Sequence, residues 1–114
     1  MVVEDDEDLS LSLRYMLEEL GYRAICASNG REALSRLEED TPSLLLVDLF
    51  MPVMGGIEFL HALRTEPRLR AIPKVIMTAA NDQMVGVKED VSVLYKPLDF
   101  ELLTRVLKQY CPMP

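Results

Sequence analysis

A chain of 114 residues, 49% of them apolar, is the size of a single domain with one proper core. A net charge of −7 with no basic stripe argues against a chain that holds nucleic acid by itself, and every apolar run stops far short of a membrane span. Two distant cysteines, Cys26 and Cys111, form no metal-type spacing, so reduced thiols and a cytoplasmic setting are expected.

The chain opens with Met1-Val2-Val3, a short β-favouring stretch stopped by Glu4-Asp5-Asp6-Glu7-Asp8. Its brevity suggests that the numbering starts inside the strand, and acids stand where a secretory signal would be basic. Leu9, Leu13, Met16, Leu17 and Leu20 recur at helical spacing, with Gly21 placed to cap the end. Acids at a helix start suit its positive dipole end, but five in a row exceed that need. Tyr22 to Ala27 alternates like a second strand. Ser28 or Asn29 caps a helix through Ala33, Leu34 and Leu37, which ends in the turn at Glu38 to Pro42.

Leu44-Leu45-Leu46-Val47 then gives four consecutive apolar residues, as in a strand buried on both faces of a parallel sheet, and ends in Asp48. Pro52, Gly55 and Gly56 impose a loop immediately afterwards. A third helix presents Ile57, Leu60 and Leu63. Pro67 and Pro73 bracket a surface connection, and Val75-Ile76-Met77-Thr78 is a fourth strand ending in a polar residue. The stretch from Ala79 to Asp90 is weakly patterned and holds two helical turns at most. Val91 to Tyr95 is a fifth strand ending at Lys96-Pro97. Asp99 caps a last helix with Phe100, Leu103, Leu107 and Tyr110 inward, Leu98 and Leu103 holding the two positions of a hydrophobic staple.

The order is (βα)5, an α/β chain whose parallel sheet carries helices on both faces. In such a sheet all strand ends lie on one edge, which is where ligands bind in open α/β folds. That edge collects Glu4, Asp5, Asp48, Thr78 and Lys96. Carboxylates held close repel by about 4 kcal/mol per pair at an effective dielectric near 20, and call for a cation. Oxygen-only donors suit Mg²⁺ or Mn²⁺. A cation beside a lysine neutralises an incoming phosphoryl group, and the Thr78 hydroxyl is placed to bond it once attached. Singly these residues are bland: helix-start acids, a turn former, a solvated lysine. Their joint placement is what points to phosphoryl transfer. His61 reads as an exposed mid-helix residue and the seven methionines as core filler.

Val-Glu-Asp-Asp-Glu-Asp at the start, Leu-Val-Asp-Leu-Phe-Met-Pro-Val-Met-Gly-Gly in the middle, then Met-Thr-Ala and Tyr-Lys-Pro, in that order, resemble the receiver domain of bacterial two-component response regulators, the CheY-like group. The resemblance covers the whole chain, residues 1–114, as one receiver domain. It implies a doubly wound, flavodoxin-like sheet of strand order 2-1-3-4-5, here with a shortened fourth helix between Thr78 and Lys96. It implies Asp48 as phosphoacceptor, Asp5 as direct metal ligand with Glu4 acting through water, and the Phe50 backbone carbonyl as a further metal contact. Thr78 matches the switch hydroxyl and Lys96 the lysine that bridges to the phosphoryl group. Pro97 matches a proline often preceded by a cis peptide. The partners implied are a sensor histidine kinase as donor and a protein target or fused output domain. The only chemistry expected is the chain's own phosphorylation and dephosphorylation, not enzymatic turnover of another substrate.

The departures from that pattern lie on the output side. The family often has an aromatic switch residue three places before the lysine, where this chain has Val93, with Tyr95 on the same strand face. The segment between Thr78 and Lys96 is several residues short. Phe50 and Ala80, beside the site, are apolar and offer nothing to orient a hydrolytic water. A competing reading is a pseudo-receiver, an interaction module that works without phosphorylation. A haloacid-dehalogenase-type phosphatase would want an acid two residues after the nucleophile, where Phe50 stands, and no glycine fingerprint follows the first strand for a dinucleotide. A stand-alone receiver, a piece of a larger regulator or hybrid kinase, and dimerisation through the altered face all stay open.

Overall fold

The computed structural model describes residues 1–79 and 91–112. Its elements are β1 (Val2–Val3), α1 (Glu7–Glu19), β2 (Cys26–Ala27), α2 (Gly30–Leu37), β3 (Leu45–Asp48), α3 (Gly56–Leu63), α4 (Pro67–Arg70), β4 (Lys74–Ala79), β5 (Ser92–Lys96) and α5 (Phe100–Tyr110). The strands form one parallel sheet in the order β2-β1-β3-β4-β5, as expected. The shortened helix expected between β4 and β5 falls on residues 80–90, outside the described residues.

Strand alternation sorts the core into two layers. Val3, Leu45, Val47 and Ile76 face α2 and α3, where Ala33, Leu37, Phe59, Leu60 and Leu63 close over them. Val2, Leu46, Val75, Met77 and Leu94 face α1 and α5 and meet Leu13, Leu17, Leu103 and Leu107. Each buried aliphatic side chain contributes roughly 1.5–3 kcal/mol, so the sandwich is held mainly by these two contacts. Among the described residues, no helix is long and apolar enough to cross a membrane.

Helix ends follow their local chemistry. Asp6 caps α1 by accepting from the N–H groups of Asp8 and Leu9. Gly21, at φ 96°, closes its other end: its N–H donates to Glu18 O and the Tyr22 N–H to Leu17 O. Asn29 caps α2 and Asp99 caps α5. Leu98 and Leu103 both pack in the α1/α5 layer, as a staple should.

Two expectations need correction, the extent of β2 and the place of Phe100. Only Cys26–Ala27 joins the ladder as β2, because Gly21 and Tyr22 are still engaged in closing α1. The surface connection bracketed by Pro67 and Pro73 contains the single turn α4, with proline at its first helical position. That turn buries Leu69, while Arg68 donates to Leu37 O and Thr41 Oγ1. The buried Lys74 ammonium donates to the carbonyls of Leu69, Arg70 and Ile72 at 3.4, 3.1 and 2.6 Å, tying the turn to β4. Phe100 is exposed rather than inward. It is the first residue of α5, where the side chain leans toward the helix start and away from the turns that bury Leu103 and Leu107.

Candidate functional site

The sheet builds the site by continuing its own alternation. Val2, Leu46 and Leu94 lie in the α1/α5 layer, and two residues further along each strand come Glu4, Asp48 and Lys96. The same parity therefore carries three ionisable groups to one face at the carboxyl edge. Asp48 closes β3 at 6% exposure and Glu4, just past β1, is 2% exposed. Asp5 beside it is exposed.

One oxygen from each of Glu4, Asp5 and Asp48 lies within 4.8 Å of the others. Lys96 reaches into this group. Its Nζ donates to Glu4 Oε1 at 2.8 Å and stands 3.5 Å from Asp48 Oδ2. The opposite oxygen of Asp48 accepts a long bond, 3.4 Å, from the Phe50 N–H. Burial raises the Glu4 carboxyl above its usual range; Asp48 adds to the rise and Lys96 pulls the other way. Burial alone would lower the Lys96 ammonium, but the hydrogen bond and charge of Glu4, then the charge of Asp48, outweigh it and raise it.

Three carboxylates with no nitrogen or sulfur among them make a donor set that fits a hard divalent cation such as Mg²⁺ or Mn²⁺. One lysine is too little charge for three acids, two of them buried. A divalent cation would balance the group.

Thr78 lies on the other parity, two residues beyond Ile76, and is buried at the end of β4 one place past Met77, the ladder partner of Asp48. Its own ladder partner across β5 is Tyr95, whose ring is largely exposed, while Val93, opposite Ile76, packs partly into the α2/α3 layer. Tyr95 thus shares the face of Val93, as alternation predicts. Phe50 projects to solvent at 54% exposure. Ala80 lies outside the described residues. His61 is exposed on α3. The Lys96–Pro97 peptide is cis.

Two features of the site were not legible in the residues. The first is the Lys96–Glu4 bond itself. The second is the seating of the loop after Asp48. A Cβ on Gly56 would collide with the Asp48 carbonyl oxygen and come within 2.8 Å of Leu49 Cα. Gly56 is thus required by the close approach of α3 to the end of β3, where the sequence alone shows only a turn-forming glycine pair. A glycine at the first position of a helix, eight residues after a buried acid, was the available signal.

The model of the response regulator receiver domain family matches residues 1–108. The polar-differentiation response regulator DivK of Brucella anthropi is 32% identical over 96% of this chain and 93% of its own length. The phosphate regulon transcriptional regulatory protein PhoB of Rhizobium meliloti is 39% identical over 76% of this chain but only 38% of its own length. Among solved structures, the receiver domain of a Pseudomonas aeruginosa sensor histidine kinase, with a magnesium ion coordinated in its active-site cleft, aligns with TM-score 0.86. It is 26% identical, over 96% of this chain and 93% of that one.

Proposed function

This chain belongs to the response regulator receiver domain family, and from that premise we propose that it is a phosphoacceptor switch whose Asp48 takes a phosphoryl group from a sensor histidine kinase with the help of Mg²⁺. The observation that carries the reading is the meeting of Glu4, Asp5 and Asp48 oxygens within 4.8 Å, with Lys96 bonded into the same group.

Each residue has a part. Asp48 supplies the attacking oxygen: its bond to phosphorus forms as the donor's phosphorus–nitrogen bond breaks and the imidazole leaves. Glu4 and Asp5, with the Asp48 carboxylate and the Phe50 carbonyl, would hold the cation, which would supply positive charge against the transferring group. Lys96 offsets charge from the β5 side, and Thr78 donates its hydroxyl to a phosphoryl oxygen afterwards. Burial of Glu4 and Asp48 keeps water away, so each of these contacts is stronger than it would be at the surface. The switch works in the cytoplasm beside its kinase, in keeping with two free cysteines. Its phosphorylation changes what the β5–α5 side binds: a protein target, a fused output domain or a second copy. It turns over no substrate besides its own phosphoryl group.

The deciding experiment is intact mass after incubation with Mg²⁺ and acetyl phosphate, run beside Asp48→Asn. One added phosphoryl group, absent with EDTA and in the variant, is expected. A folded protein that gains no mass while a control receiver does would overturn the reading and leave an interaction module that works without phosphorylation.

A further inference from the structure

We propose that Asn29–Gly30 is a self-modification site, at which the Gly30 nitrogen converts the Asn29 carboxamide to an acid, and that the hydrogen bond from Gly30 to the Met54 carbonyl keeps it dormant. The inference is independent of the chemistry at Asp48.

The reaction needs only water. The Gly30 amide nitrogen gives its proton to hydroxide and attacks Asn29 Cγ. A carbon–nitrogen bond forms, the Cγ–Nδ2 bond breaks, and the departing amide takes up a proton and leaves as ammonia. Water then opens the cyclic imide at either carbonyl. Opening on one side gives aspartate; on the other it gives isoaspartate, whose main chain runs through the side-chain methylene. Glycine, with no Cβ, obstructs ring closure least. The fold cannot exchange it, because a Cβ at Gly30 would collide with the Met54 and Phe59 side chains. The packing that fixes this glycine also fixes the hazard.

Around this dipeptide the carbon is primed and the nitrogen restrained. Asn29 caps α2, its Oδ1 accepting from the Glu32 N–H at 2.9 Å, and that bond draws charge off Cγ. Gly30 is buried, and its N–H, otherwise an orphan of the helix start, donates to the Met54 carbonyl at 3.0 Å. While that bond holds, hydroxide cannot take the proton. Asn29 has ψ 174°, which staggers its Cβ and the Gly30 nitrogen about the Cα–C bond, and ring closure needs them eclipsed. Rotation about that bond moves the Gly30 N–H off Met54, so both restraints release together. The opening required is local, the first turn of α2 parting from the loop at Met54. Aspartate, once formed, keeps the cap, since a carboxylate suits a helix start. Isoaspartate adds a carbon to the main chain and leaves α2 unfastened from that loop.

Deamidation and hydrogen exchange read the same event, since both need the Gly30 proton released. The 114-residue chain is held at mildly alkaline pH, folded in one sample and unfolded by concentrated urea in another. Conversion of Asn29 is followed by the mass of the proteolytic fragment that carries it. Exchange of the Gly30 amide is measured by NMR in the folded chain at the same pH and temperature. The folded chain is expected to convert at least about tenfold more slowly than the unfolded one, and Gly30 protection should match that factor within about threefold. Met54→Ala removes the side chain packed beside Gly30 and keeps the carbonyl, and should speed both processes by the same several-fold factor. If that variant does not fold, the wild-type comparison decides alone. Conversion of the folded chain at the unfolded rate, a mismatch beyond about threefold between the two factors, or a variant that speeds one process without the other overturns the gate. No conversion in the unfolded chain overturns the site itself.

Discussion

Gly30, the first residue of α2, donates its N–H to the Met54 carbonyl at 3.0 Å, and a Cβ on Gly30 would meet Met54 Cγ at 2.8 Å and Phe59 Cβ at 2.9 Å. The loop leaving Asp48 is thus clasped between α2 and α3 by two bare glycines, Gly30 and Gly56. Gly30→Ala can push Met54 aside but must also shift Phe59, and should cost about 2 kcal/mol. Gly56→Ala meets backbone atoms of Asp48 and Leu49 that cannot yield cheaply. It should cost more, about 3 kcal/mol, and disturb the Asp48 carboxylate as well. Urea unfolding ranks the two; equal losses would contradict the clasp.

Val53 has φ 70°, in the left-handed region, and is 66% exposed. The Met54 N–H closes a tight turn around it onto the Pro52 carbonyl at 2.9 Å. A β-branched residue there is strained by about 1–2 kcal/mol, and its exposed side chain recovers little by packing. Val53→Asn, which tolerates this conformation, should therefore stabilise the fold by about 1 kcal/mol and raise Tm by roughly 4 °C. A thermal melt in which Asn is neutral or worse would mean that the valine side chain contributes something the free chain hides.

Glu32 reaches back from the first turn of α2, accepting from Ser28 Oγ at 2.6 Å and the Ser28 N–H at 3.0 Å. The Ser28 hydroxyl, then its N–H, hold the Glu32 carboxyl below its ordinary value of 4.5. A depressed acid stabilises the fold above its unfolded pKa and loses that contribution as pH falls through the folded one. Glu32→Gln should thus cost about 0.5–1 kcal/mol near neutrality, and the gap should close as the pH drops below about 4.5. A gap that is independent of pH would assign the effect to packing instead.

The phosphoform should be long-lived. Phe50 stands beside Asp48 with an apolar, exposed ring that cannot orient a water for attack on phosphorus. Phe50→Asn supplies an amide there and should shorten the half-life several-fold at unchanged Mg²⁺ affinity, followed as loss of phosphorylated mass with time. A wild-type phosphoform that decays as fast as the variant's would remove this account.

The architecture was readable because both of its codes are local. The buried run Leu44 to Val47 and the helical spacing of Leu9, Leu13 and Leu17 each need only a short window. So was the meeting of Glu4, Asp5, Asp48 and Lys96, since parallel strands put their ends on one edge. What escaped depends on neighbours far along the chain. The choice of Glu4 over Asp48 by Lys96 is made across 92 positions by side-chain reach. Phe100 had the right spacing for the core but stands at the first position of α5 and is exposed.

Lys74 offers a use unrelated to signalling. Its amine is sealed at the start of β4, bonded to the carbonyls that end α4. An acylating reagent can reach that nitrogen only when the turn and the strand part. The rate at which Lys74 is labelled therefore clocks opening of this corner of the sheet. Lys96, at the opposite edge and partly open to solvent, reacts in the folded state and reports on the occupancy of its own site. One chain carries two chemically identical probes, one timing unfolding and the other timing loading.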